Sequence, residues 1–323
     1  TNWANLSRDL QFTAYGIAWV LTAFAAFFHG RFILAAFLLG VTVCFHPAHG
    51  ALAAAPLFAA FLLTQWRKSG MPGRLLGMIA AFGAGVAPFL IFVLPKLTVL
   101  NWSAISPEQM ANVASFLKLL FPFHLYPSTW HPSLYLVFAV FLLCSWKGLE
   151  EVSEHFRPLY KAVFWGYIAI LVVSFLFVEV IPVYAVMKLC PFRVTSHLVL
   201  ISIPPFFLFL QKQMTDSEHA LRRVLSFWIA GCTFFTLEGI PILPCLVLLA
   251  ELSLIPHLPF NRHKIQARWA LLLALISIPL ILLSLPSLSG HFGPGRVISF
   301  LYFGAVLVPE GWKIATVIAV VFS

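Results

Sequence analysis

Residues 269 to 286, WALLLALISIPLILLSLP, contain no charged side chain, and comparable apolar runs recur along most of the chain. A helix of about twenty such residues matches the hydrocarbon thickness of a bilayer. No water is available in that layer for backbone N–H and C=O groups, so a spanning chain is either helical or a closed barrel. A barrel would show alternation with a period of two, and these continuous runs exclude it. Charged residues make up 10% of the chain and hydrophobic ones 61%, whereas soluble domains are about 25% charged. The expectation is an all-α, polytopic transmembrane helix bundle.

The apolar runs place spans near 12–28, 32–46, 50–66, 75–95, 132–146, 162–181, 192–211, 224–238, 241–255, 269–286 and from 298 onward. That gives about ten or eleven spans, several of them short. No low-complexity linker or charge block divides the chain, so residues 1–323 read as a single integral membrane domain. It begins with Thr1 and ends in the unflanked apolar run ATVIAVVFS, which predicts a piece of a longer protein.

The net charge of +9 would suggest nucleic acid in a soluble protein. Here the basic residues occupy short loops and report topology, so no nucleic acid partner is expected. Of the twenty Lys and Arg residues, Arg8, Lys96, Lys118, Lys188, Arg193 and Arg296 fall in one set of alternate loops; with Lys313 unassigned, thirteen fall in the other. The richer set is expected to be cytoplasmic, which leaves the motif FHPAHG, residues 45 to 50, on the outer face. Cys44, Cys144, Cys190, Cys232 and Cys245 show no C-x-x-C spacing and read as small core residues.

One connection is long: the outer loop 96–131. Its segment SPEQMANVASFLKLLF opens with Ser106 as N-cap, Pro107 at the first helical position and Glu108 in the first turn. Met110, Val113, Phe116, Leu117 and Leu120 then recur at helical spacing, which predicts an amphipathic helix over 107–121 in the membrane interface.

The polar motifs gather at outer ends of spans: His46 and His49 in FHPAHG, His124, Tyr126, Trp130 and His131 in FPFHLYPSTWHP, Lys188 and Arg193 in KLCPFR, Glu238 in LEGIP, and His291 and Arg296 in SGHFGPGR. Polar side chains are costly in lipid, so one-sided clustering predicts an outward cavity. Each also has a plainer reading. His46 before Pro47 could cap a span, Tyr126 and Trp130 could form an aromatic belt, and Arg193 could snorkel to headgroups. Glu238, beside Gly239 and two prolines, is either the tip of a helical hairpin or a buried carboxylate, with Glu179 the next candidate. The segment VIPVYAVMKLCPFR is too short to cross and return and predicts a shallow re-entrant turn. His46 and His49 lack a neighbouring carboxylate, and no metal site is assigned.

A span ending in GVTVCFHPAHGALAA, a long outer loop with an interfacial helix, and a later span opening with PFR resemble the GT-C-like membrane glycosyltransferases. That resemblance implies an enzyme moving a sugar from a polyprenyl-phosphate carrier to an acceptor on the outer face. It leaves a divalent metal requirement open. It implies Asp9, His46, His49 and Glu238 as catalytic candidates, and His124, Tyr126, Trp130, His131, Lys188, Arg193, His291 and Arg296 as substrate-binding ones. The family's catalytic acidic residue normally follows its first span. Asp9 is the aspartate on that face here, and a segment preceding Thr1 is expected to hold the base if Asp9 does not.

Two other classes fit the same pattern: a multi-spanning transporter, and a structural, lipid-binding or cofactor-binding subunit of a larger membrane complex. The expected partners are membrane lipids and a lipid-linked substrate, and the expected location is a bacterial inner (plasma) membrane.

Overall fold

A computed structural model of the chain describes residues 3–92, 108, 112, 126–129, 132–183, 186–187, 191–236 and 242–253. The protein is all-helical and, by the length and composition of its helices, an integral membrane protein. The helices are α1 (Trp3–Phe28), α2 (Phe32–Phe45), α3 (Pro47–Gln65), α4 (Met71–Phe92), α5 (Pro132–Gly148), α6 (Arg157–Phe175), α7 (Val194–Thr215), α8 (Ala220–Thr236) and α9 (Ile242–Ser253). A π-helical turn, Leu176–Val180, extends α6, and 3-10 turns occupy Pro127–Thr129 and Pro191–Arg193. These helices fall on nine of the expected spans; those near 269–286 and beyond 298 lie outside the described residues.

Among the described residues four helices are long and apolar enough to cross a membrane: Pro47–Gln65, Met71–Phe92, Arg157–Val180 and Val194–Thr215. At about 1.5 Å per residue they reach roughly 28 Å or more, close to a hydrocarbon core. The apolar helices Tyr15–Phe28, Phe32–Phe45 and Tyr135–Gly148 are shorter. The interfacial helix expected over 107–121 lies outside the described residues, except for Glu108 and Asn112, which are helical and exposed.

The chain forms two compact units. The first comprises residues 1–130 and 154–201, the second 131–153 and 202–323. In the first, α2 packs on α4 and α1, and α3 packs on α6 and α2. Its core includes Phe27, Leu39, Leu57, Phe61, Val163 and Leu198, all at most 1% exposed. Lipid tails are as apolar as leucine, so helices in a bilayer associate by close packing, which small residues permit. A Cβ on Gly40 of α2 would lie 3.0 Å from the Cα of Gly85 in α4, and the reverse distance is the same. The Cys44 thiol adds a bond to the Gly85 carbonyl at 3.4 Å.

In the second unit, α9 packs on α8 and α5, and Phe141, Phe206, Leu210, Ile229 and Leu248 are buried. Lys212 pairs with Glu151 at 3.2 Å. The turn before α8 is organised by Asp216, whose carboxylate accepts from Glu218 N at 3.0 Å and contacts His219 Nδ1 at 2.9 Å and Arg222 Nη1 at 3.5 Å. Burial pushes this carboxyl up, but the His219 bond, the Glu218 N–H and the charges of His219 and Arg222 outweigh it and hold the group below the usual carboxylate range.

Candidate functional site

The sequence His46-Pro47 sets the first element of the site. Proline at the first helical position pre-sets φ and gives up an N–H that would be unsatisfied there. His46, at φ −149° and ψ 92°, therefore ends α2 and begins α3 as an extended hinge residue. The second element is the 3-10 turn Pro191–Arg193, which leads directly into α7 and presents Arg193 at its N-terminus.

The two elements meet. Arg193 Nη1 donates to His46 Nε2 at 2.5 Å. A guanidinium has no acceptor, so this nitrogen of His46 must supply its lone pair. A neutral imidazole has one such lone pair, which puts the ring proton on Nδ1. The 3.4 Å approach of His49 N–H to that Nδ1 is then packing, not a hydrogen bond. His46 and Arg193 are both half-buried.

One turn into α3, His49 enters the interior instead of facing an open cavity. It is 2% exposed, and its Nδ1 lies 2.8 Å from Nε2 of His197 on α7, which is fully buried. The ring centroids of His46 and His49 are 4.3 Å apart, and those of His49 and His197 are 4.9 Å apart. Tyr167 of α6 and Phe24 of α1 meet the His197 ring edge-on. Gly16 of α1 makes room above the pair, since a Cβ there would stand 3.1 Å from the His46 Cβ.

Three polar atoms in this core have no protein partner among the described residues: His49 Nε2, His197 Nδ1 and Tyr167 Oη. An unsatisfied buried polar group costs about 1–3 kcal/mol, so three around one pair single this core out from the apolar packing around it. Whichever imidazole donates between His49 and His197, one outer nitrogen is a donor and the other an acceptor. Among the described residues, no group of three His, Cys, Asp or Glu side chains could hold a metal ion.

The end of the long connection arrives beside this site. Glu179, in the π-helical turn after α6, accepts from Ser128 N–H at 2.8 Å. Tyr126, expected as a substrate contact or belt residue, is 4% exposed and packs with Val178, Met187 and Phe192. Burial first, and the Glu179 carboxylate second, push its phenol above the ordinary value. Thus FHPAHG, PST and PFR all belong to one end of the first unit. At the start of the segment expected to be re-entrant, Ile181 N–H bonds back to Leu176 O at 2.8 Å and Val183 N–H to Phe177 O at 2.9 Å; residues 184–185 and 188–190 lie outside the described residues.

Of the other expected residues, Asp9 lies in the backbone of α1. Glu238, in the connection between α8 and α9, lies outside the described residues, as do His124, Trp130, His131, Lys188, His291 and Arg296. Sequence reasoning missed His197 and Tyr167. His197 follows PFR by four residues, one helical turn, and that spacing from Arg193 was the available signal.

No protein family matches the chain, and neither a curated sequence nor a solved structure matches it.

Proposed function

We propose that this protein is a GT-C-like membrane glycosyltransferase that uses a polyprenyl-phosphate-linked sugar on the outer face of a bacterial inner membrane. The observation that carries the reading is the half-buried Arg193–His46 pair at the N-terminus of α7. A guanidinium fork and a helix N-terminus both favour a phosphate. In the proposed reaction an acceptor hydroxyl attacks the anomeric carbon and passes its proton to a carboxylate base. The sugar–phosphate bond breaks, and the phosphate leaves with the electron pair. Arg193 stabilises that developing charge, and His46 holds the guanidinium in place. Asp9 and Glu238 are the candidates for the base, and membrane lipids form the surroundings.

The test is transfer of labelled sugar from a polyprenyl-phosphate donor in membranes containing the protein. Arg193→Ala is expected to lower transfer by about a hundredfold or more with folded protein retained. Arg193→Lys keeps the charge, loses the fork and retains partial activity. Equal activity in Arg193→Ala and the unaltered protein sinks the reading.

The buried His49–His197 pair supports a second reading, a proton-coupled transporter. Uptake of a proton at one outer nitrogen, transfer of the shared proton across the 2.8 Å contact and release of a proton from the other outer nitrogen would move one charge, after which both rings must turn over to restore the starting tautomers. Solute uptake that acidifies the receiving side of proteoliposomes and stops in His197→Gln would favour it over transfer chemistry.

A further inference from the structure

At the other end of α2 and α3, away from His46 and His49, the first unit has a cavity of about 400 Å³. Phe28 closes α1, Phe32 opens α2, Lys68 lies in the turn after α3, Arg74 is in the first turn of α4, and His155 and Phe156 precede α6; all six line it. No aspartate or glutamate is in the lining among the described residues. Lys68 and Arg74 form no ion pair among the described residues. Two helices, α4 and α6, begin at this end, so their N-terminal partial positive charges add to the side-chain cations. The polar rim and the aromatic wall thus ask for opposite parts of an amphiphile.

The cavity also sits where such a ligand would be found. Trp66, the residue that ends α3, is 71% exposed, and Leu63 and Leu76 beside the same turn are 75% and 68% exposed. Tryptophan favours the boundary between hydrocarbon and water, and apolar side chains this exposed belong against lipid. The turn belongs to the loop set richer in lysine and arginine, the set expected to face the cytoplasmic leaflet with its anionic lipids.

We propose that this cavity binds the phosphate group of an anionic phospholipid, with Lys68 and Arg74 on the phosphate and Phe28, Phe32 and Phe156 against the glycerol and first methylenes. Neither the charge of the headgroup alone nor apolar burial alone explains the lining, whereas the combination does. Nothing in this inference depends on the Arg193–His46 site.

The experiment is retention of lipid by the full chain, purified in a neutral detergent and measured by native mass spectrometry. Phosphatidylglycerol is compared with phosphatidylcholine of the same acyl chains. The unaltered protein is expected to retain phosphatidylglycerol preferentially, and Lys68→Gln with Arg74→Gln to bind it roughly thirtyfold more weakly, about fivefold per cation at a membrane surface. Arg67→Gln removes an adjacent charge that does not line the cavity, and it should change retention by less than about twofold. The exchange Lys68→Arg with Arg74→Lys preserves both charges and should bind normally, which separates loss of charge from loss of fold. Inorganic phosphate forms the second arm. If it displaces phosphatidylglycerol at millimolar concentration only when Lys68 and Arg74 are present, the phosphate site stands and free phosphate is its second source. No preference for phosphatidylglycerol, or an equal loss in Arg67→Gln, overturns the proposal.

Discussion

The two ends of the first unit handle positive charge in opposite ways. At the α2–α3 hinge, Arg193 is half-buried and commits a donor to His46, while one ring nitrogen of His49 pairs with one of His197 below it. At the α3–α4 turn, Lys68 and Arg74 are exposed and lack a carboxylate among the described residues. One end supplies its own partners and is sensitive to geometry. The other leaves its partners to the surroundings and is sensitive to what the membrane contains. Breaking a buried polar pair is costly, whereas removing an exposed charge changes little, so substitutions should separate the two ends in stability before any ligand is involved.

The largest effect is expected in the buried pair. His49→Leu leaves Nε2 of His197 without its partner and should destabilise the protein by about 1–3 kcal/mol in thermal unfolding in detergent. The double change His49→Leu, His197→Leu removes both partners and should recover part of that loss. A double variant as unstable as the two single ones added together would show that the pair is not coupled, and the contrast between the ends would weaken. At the opposite end, removal of Lys68 and Arg74 by glutamine should change unfolding without added lipid by less than about 0.5 kcal/mol. A loss comparable to that of His49→Leu would mean that these cations already have partners within the protein.

The smallest effect belongs to the second unit, which provides a reference for a half-buried charge with protein partners. Asp216 has its carboxyl held below the usual range, so the folded state binds its proton less readily than the unfolded state. Its contribution is therefore present above the ordinary carboxylate pKa of about 4 and is lost as the pH falls through the lower folded value. Asp216→Asn should lower stability slightly at neutral pH and flatten the acid limb of the unfolding profile below about pH 4. An unchanged acid limb would remove Asp216 from the account.

The helices were legible in the sequence because lipid imposes a length and forbids unpaired backbone; nine described helices fall where apolar runs were found. The hinge was legible too, since His-Pro between two such runs can hardly continue a helix. The partner of His49 was not. His197 lies 148 residues away, inside TSHLVLISI, where a lone histidine carries no local signal and only helix packing brings the rings together. Tyr167 was hidden for the same reason in an apolar run. The expected open cavity at FHPAHG is, at His49, a closed polar core, because one further helical turn carries that side chain from the hinge into the packed interior. The basic turn at Lys68 and Arg74 was read only as topology, since a charge count cannot show that three phenylalanines from separate elements stand behind it.

The Gly40–Gly85 approach has a mechanical consequence. A Cβ on either glycine would stand 3.0 Å from the Cα of the other, so α2 and α4 have no slack along their common line. A one-turn ratchet of α2, about 5.4 Å, would have to drag side chains from neighbouring turns through that gap. The helix that joins the His46 hinge to the Phe32 wall therefore behaves as a strut braced by α4, not as a piston. If occupancy at one end is felt at the other, α2 transmits it by tilting about its glycine fulcrum.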